Sequence, residues 1–141
     1  MDSEISADYK PTEDEPYMNE KQLAYFKKIL LDWRQELLTD SKKTLKRLQE
    51  NPLDIIEEVD RGSWESDLAF ELRTRDRYRK LINKIDAALE RIEDGTYGYC
   101  EETGEEIGIR RLMVRPIATL TIEAQTRHER RERQEERLKQ W

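Results

Sequence analysis

Residues 23–37 read LAYFKKILLDWRQEL, and this stretch decides the fold. Leu23, Phe26, Leu30, Trp33 and Leu37 recur in alternating steps of three and four, which lines one side of a helix with a coiled-coil seam. Asn19 and Gln22 stand just upstream as the N-cap and N3 residues of a capping box, so the helix is predicted to start at Asn19. Downstream, the seam passes two polar positions, Ser41 and Thr44, and turns apolar again at Leu48. It ends at Asn51-Pro52, because the residue before a proline avoids the helical region.

A second seam runs through Leu68, Tyr78, Ile82, Ile85, Leu89 and Ile92, with a polar gap at Glu71 and Arg75 and a stop at Gly95. Folding the chain back near residue 57 sets Leu23 opposite Ile92, Phe26 opposite Leu89 and Leu30 opposite Ile85. The same register sets Trp33 opposite Ile82 and Leu37 opposite Tyr78, and brings the two polar gaps together. Two seams agreeing in one register predict an antiparallel hairpin, with arms of about 30 residues and roughly 45 Å.

The rest of the chain falls around this hairpin. Residues 1–20 carry seven acids (Asp2, Glu4, Asp8, Glu13, Asp14, Glu15, Glu20) against Lys10 alone, which accounts for the whole net charge of −6. An acidic, proline-containing leader of this kind reads as a flexible tail over residues 1–18. Four of the five glycines fall between 95 and 108, and with Pro116 they mark 95–120 as a compact, turn-rich module. Its expected core is Tyr97, Tyr99, Ile107, Ile109, Leu112, Val114, Ile117 and Leu120. Residues 121–141 interleave Arg and Glu at helical spacing and read as a charged helix.

Composition excludes several classes. With 35% apolar and 41% charged residues, the chain suits long solvated helices better than a deep core. It has no basic excess, which argues against direct DNA binding. No apolar run approaches the ~20 residues of a membrane span and no signal-peptide pattern opens the chain, so a cytoplasmic location is expected. Cys100 is the lone cysteine, so no intrachain disulfide forms.

Three features are candidates for function. Between 54 and 67, six acids (Asp54, Glu57, Glu58, Asp60, Glu65, Asp67) accompany one base, Arg61, at the hairpin tip. Such a cluster can reach into a confined site, or it can merely solvate the turn and favour a helix N-terminus. Behind it, Arg73, Arg77, Lys80 and Lys84 step by four, three and four along one helical face. That stripe suits an anionic protein surface or a phosphate ligand, or equally a solvated flank paired with neighbouring acids. Cys100 would need three further ligands for zinc, and the corresponding places hold Thr103, Thr121 and Ala124. No motif sets His128 or another base beside it for nucleophilic chemistry, so it reads as a packing residue and no catalytic residue is assigned.

Three blocks carry a family likeness: Tyr17-Met18-Asn19-Glu20; Asp60-Arg61 with Leu72-Arg73-Thr74-Arg75-Asp76-Arg77 and Lys80-Leu81-Ile82; and Tyr97-Gly98-Tyr99-Cys100 with Ile107-Gly108-Ile109-Arg110-Arg111-Leu112 and Arg115-Pro116. Over about residues 17–127 the chain resembles the DksA/TraR family of regulators that bind in the secondary channel of bacterial RNA polymerase. The resemblance implies a mainly α fold: a long antiparallel coiled-coil hairpin over 19–94 with its tip at 51–63, a zinc-ribbon-like module over 95–120, and a C-terminal helix. It implies a non-enzymatic, monomeric transcription regulator that acts with the alarmone ppGpp in the stringent response, on ribosomal RNA and amino-acid genes. Asp60 matches the family's tip aspartate, Gly62 stands where alanine is usual, and Glu57 replaces an aspartate; these three form the tip effector. Arg77, with Arg73 beside it, matches a polymerase contact. Leu81, Lys84 and Arg115 match ppGpp-binding positions, whereas a further lysine of that site is Gln125 here. Most members bind zinc with four cysteines, and Cys100 alone remains, so the resemblance is to the low-cysteine, zinc-independent form with no cofactor. A Gre-like stimulator of transcript cleavage and a helical-hairpin scaffold or chaperone are the alternative readings.

Overall fold

A computed structural model describes residues 8–50 and 61–140. Its helices are α1 (Glu20–Glu50), α2 (Arg61–Asp94), α3 (Ile109–Val114) and α4 (Ile122–Lys139). Among the described residues there is no strand, only an isolated antiparallel bridge between Tyr99 and Glu106. The chain divides into two compact units, Met1–Ile29 with Ala88–Trp141, and Leu30–Ala87.

In the Leu30–Ala87 unit the seam residues turn inward as their spacing predicts. Leu30, Leu37 and Ile85 are buried, while Trp33, Tyr78 and Ile82 are half-buried. Arg34 Nε donates to Asp86 Oδ1 at 2.7 Å and so joins the two arms. Ser41 and Arg75 line one groove together with Leu38, Leu72, Asp76, Arg79 and Ile82, so the polar gaps of the two arms do meet. The turn at 51–60 lies outside the described residues.

In the other unit, Phe26 and Ala88 are fully buried and Lys27 Nζ bonds Glu93 Oε1 at 3.1 Å between the arms. Helix α1 begins where the cap predicts: Asn19 Oδ1 accepts from the Gln22 amide at 2.8 Å. The reciprocal half differs from a capping box. Gln22 Oε1 accepts from the amide of Met18, at 2.7 Å, instead of that of Asn19. Met18 has φ +53°, a left-handed turn that aims its N–H at the glutamine. Helix α2 stops at Gly95, which has φ +84°.

The leader is packed, contrary to its reading as a tail, from residue 8 onward. Gln22 is fully buried and its Nε2 donates to the Thr12 carbonyl and to Glu15. Tyr9 meets Tyr25 edge-on at 6.1 Å between ring centres and donates to Glu15 Oε2 at 2.7 Å. Tyr17 reaches farther. Its hydroxyl donates to the Gly98 carbonyl at 2.6 Å and accepts from the Gly108 amide at 3.0 Å.

The module core holds five of the expected residues, Tyr97, Ile107, Ile109, Leu112 and Ile117. Leu120 is half-buried, and two expectations fail: Tyr99 is 38% and Val114 87% exposed. Their reasons are local. Ile109 and Leu112 share the inward side of α3, and Val114, two residues past Leu112, points away from it. Tyr99 stands edge-on to Tyr17 at 5.7 Å, at the rim of the core. Small residues complete the interior instead: Cys100, Ala118, Thr121 and Ala124 are buried. Beyond Gln125, every described residue of α4 is exposed.

Candidate functional site

The stripe on α2 belongs wholly to the Leu30–Ala87 unit. Arg73, Arg77, Lys80 and Lys84 are all exposed, as one face of a continuous helix dictates. Lys80 pairs with Asp76 at 3.4 Å, and Asp76 also takes Arg79 at 2.8 Å. Arg73, Arg77 and Lys84 have no ion pair with any described residue. Their side chains therefore stand exposed, without an ion pair among the described residues. Leu81 is half-buried one turn before Lys84.

Arg115 lies in the other unit, at the end of α3, with its side chain exposed. Its backbone is held firmly. The Arg115 amide bonds the Arg111 carbonyl at 2.7 Å, Arg111 Nε bonds the Leu120 carbonyl at 2.8 Å, and the Tyr97 hydroxyl donates to the Pro116 carbonyl at 2.8 Å. Burial pushes the Tyr97 hydroxyl well above its ordinary range, so it remains a donor at any physiological pH. Gln125 is half-buried on α4 and bonds Glu129 at 3.2 Å. Of the tip residues, Gly62 falls in the first turn of α2, while Glu57 and Asp60 lie outside the described residues.

Cys100 is buried in a small hydrogen-bonded cluster. Burial alone raises its thiol, but the Thr103 hydroxyl and the amides of Thr121, Thr103 and Glu102 outweigh that and bring it to about 7. Thr121 in turn N-caps α4, its Oγ accepting from the Ala124 amide at 3.2 Å. The Glu101 amide bonds the Thr119 carbonyl at 2.9 Å, which brings the segment of positions 100 and 103 against that of positions 121 and 124. Sequence reasoning placed Cys100 as a packing residue and Gln22 in the helix cap, but missed the bridge made by Tyr17. Tyr17 stands in a block that carries the family likeness, which was the available signal.

Residues 22–92 match the family described as DnaK suppressor protein DksA, N-terminal domain, and residues 95–130 match the prokaryotic dksA/traR C4-type zinc finger. The chain belongs to the DksA family. It is 60% identical over 127 residues to the RNA polymerase-binding transcription factor DksA of Caulobacter vibrioides, a match covering 90% of this chain and 89% of that protein. It is 46% identical over 126 residues to the protein of the same description in Escherichia coli K12, covering 89% and 83%. Among solved structures it resembles transcription factor DksA2 from Pseudomonas aeruginosa, with a TM-score of 0.73 and 45% identity over 83% of this chain and 90% of that one. These DksA proteins are transcription factors, which agrees with a regulator in place of an enzyme. No helix among the described residues is long and apolar enough to cross a membrane.

The zinc that a C4-type finger implies does not fit the residues present. One thiol, two hydroxyl side chains and a methyl group stand at the four ligand positions, and zinc in structural sites takes thiolate or imidazole. His128, the lone histidine, is exposed on α4 and pairs with Glu132 at 3.2 Å.

Proposed function

We propose that this chain is a transcription regulator that binds RNA polymerase through its secondary channel, with the α1–α2 hairpin as the inserted element. The observation that carries the reading is the stripe of Arg73, Arg77 and Lys84 on the exposed face of α2, in a chain of the DksA family. In this reading Arg77, with Arg73, anchors the hairpin, while Asp60, with Glu57 and Gly62, acts at the polymerase catalytic centre. Leu81, Lys84 and Arg115 contact ppGpp against the polymerase, and Gln125 in place of a lysine weakens the alarmone response. The protein works as a cytoplasmic monomer, without DNA contacts and without catalytic chemistry of its own.

The test is transcription from a ribosomal RNA promoter by purified polymerase, with and without the protein and ppGpp, alongside competition binding. Asp60→Asn is expected to abolish regulation and leave binding near normal. Arg77→Ala is expected to weaken binding, because losing one partner of an interfacial charge pair costs about 2–5 kcal/mol when the pair is buried. Unchanged affinity of Arg77→Ala at moderate salt would remove the stripe from the interface. Full regulation by Asp60→Asn would remove the tip as effector.

A further inference from the structure

We propose that the ligand cluster of the C4-type finger survives here as a metal-free structural knot, with the protein's own hydrogen bonds in the place of zinc. The match to the C4-type zinc finger covers residues 95–130, yet that segment holds one cysteine. A metal site lost by drift would leave a cavity or a disordered loop. Three of the four positions are sealed instead, and Thr103 is exposed on the turn. Cys100, Thr121 and Ala124 are all buried, and Ala124 is sealed completely.

Each replacement has a distinct task. The Thr103 Oγ accepts from the Glu105 amide at 3.3 Å, holding the turn that a metal would otherwise pin. Backbone bonds close the same turn: the Gly104 amide reaches the Cys100 carbonyl at 2.9 Å and the Cys100 amide reaches the Glu105 carbonyl at 2.8 Å. The Glu101 amide donates to the Thr119 carbonyl at 2.9 Å and the Thr121 Oγ accepts from the Ala124 amide at 3.2 Å, so the turn is tied to the start of α4. Ala124 fills its position with a methyl group, which asks for no partner. Arg131 Nη2 then fastens α4 to the turn from outside, through Glu102 at 2.6 Å. The knot joins the two pieces of chain that the two ligand pairs of a four-cysteine site would join, Cys100–Thr103 and Thr121–Ala124.

Two consequences follow. The module folds without metal, and its four positions remain close enough that cysteines there would rebuild a metal site. The experiment uses the full-length protein, purified from zinc-supplemented cells, and needs no polymerase. Elemental analysis is expected to find zinc far below one per chain, and EDTA to leave the melting temperature unchanged. Cys100→Ser, which keeps a hydroxyl in the network, is expected to retain the native circular-dichroism spectrum. Thr103→Cys/Thr121→Cys/Ala124→Cys is expected to bind one Co²⁺ with the absorption bands of tetrahedral thiolate coordination, and to become sensitive to EDTA. Stoichiometric zinc in the native chain, or melting on chelation, overturns the proposal. A folded triple variant that ignores Co²⁺ overturns the claim that the four positions converge; if that variant does not fold, the zinc content and EDTA response of the native chain still decide.

Discussion

The Leu30–Ala87 unit and the module end of the molecule are held together in different ways. In the first, one pattern repeats: apolar residues at steps of three and four, such as Leu30, Leu37 and Ile85, turn inward, and most polar residues between them are exposed. In the second, single polar groups do specific work, such as the Tyr17 hydroxyl on two backbone groups, the Tyr97 hydroxyl on Pro116, and the Thr121 hydroxyl on Ala124. A repeated pattern spreads stability over many equivalent contacts. A set of unique hydrogen bonds concentrates it, so that loss of one atom leaves a buried group unpaired.

The largest expected effect tests the repeated pattern at its densest point. Leu30→Ala removes a fully buried seam side chain and is expected to cost about 2–5 kcal/mol. Urea denaturation followed by circular dichroism measures it. A loss below about 1 kcal/mol would mean that the seam is not what binds the arms.

Gly98→Ala attacks the other end. Gly98 has φ +90°, and an added Cβ would lie 3.0 Å from Met18 Cγ and 3.1 Å from the Tyr17 hydroxyl. Overpacking of this kind costs about 1–3 kcal/mol, and the left-handed backbone adds to it. Hydrogen exchange is expected to rise in residues 12–18 and 97–108 and to stay unchanged in 65–87. Equal deprotection of both regions would erase the distinction between the two ends.

Tyr17→Phe is subtler. It removes one oxygen and strands the Gly108 amide, while the Gly98 carbonyl keeps the Ile107 amide at 2.8 Å, for an expected loss of about 1–3 kcal/mol. Burial raises the Tyr17 hydroxyl above its ordinary range, so the native link is insensitive to pH through neutrality. A thermal melt of the variant matching that of the native protein would show that the ring alone anchors the leader.

The smallest effect is one of pH. The Tyr9 hydroxyl bond, above all, holds the Glu15 carboxyl below its ordinary range, with the Gln22 and Thr12 bonds adding to it. A depressed carboxyl contributes stability that is present above its unfolded pKa and is lost as pH falls through the lower folded one. Protection factors of the amides of residues 12–18 are therefore expected to fall as the solution is acidified through that window, and Glu15→Gln is expected to remove the dependence. A native profile as flat as the variant's would sever Glu15 from the packing of the leader.

The hairpin was legible in advance because its determinants lie at fixed intervals. Leu30, Leu37 and Ile85 announce their burial by spacing, and the polar gap at Ser41 and Arg75 announces its partner by position. The exposed stripe was legible for the same reason, since Arg73, Arg77 and Lys84 differ by helical steps. The packed leader was not, because its acids and prolines read as solvated while Gln22, Tyr9 and Tyr17 bury the contacts that hold it. Val114 misled for a related cause: in a one-turn helix, hydrophobicity alone does not say which residue faces inward. Residues Glu57 and Asp60, on which the effector reading depends, lie outside the described residues.

The bridge made by Tyr17 also sets an order of events at the ribosome. Its two partners lie 81 and 91 residues later in the chain. At roughly 5–20 residues per second, that separation amounts to about 5–20 s of synthesis. Through that interval the phenol has nothing to bind except water, and both hairpin arms are made before the module exists. The Tyr17 bridge thus closes only after residue 108 has been made. It works as a latch that needs the chain through Gly108, so a product truncated before that residue leaves the Tyr17 hydroxyl without its second partner.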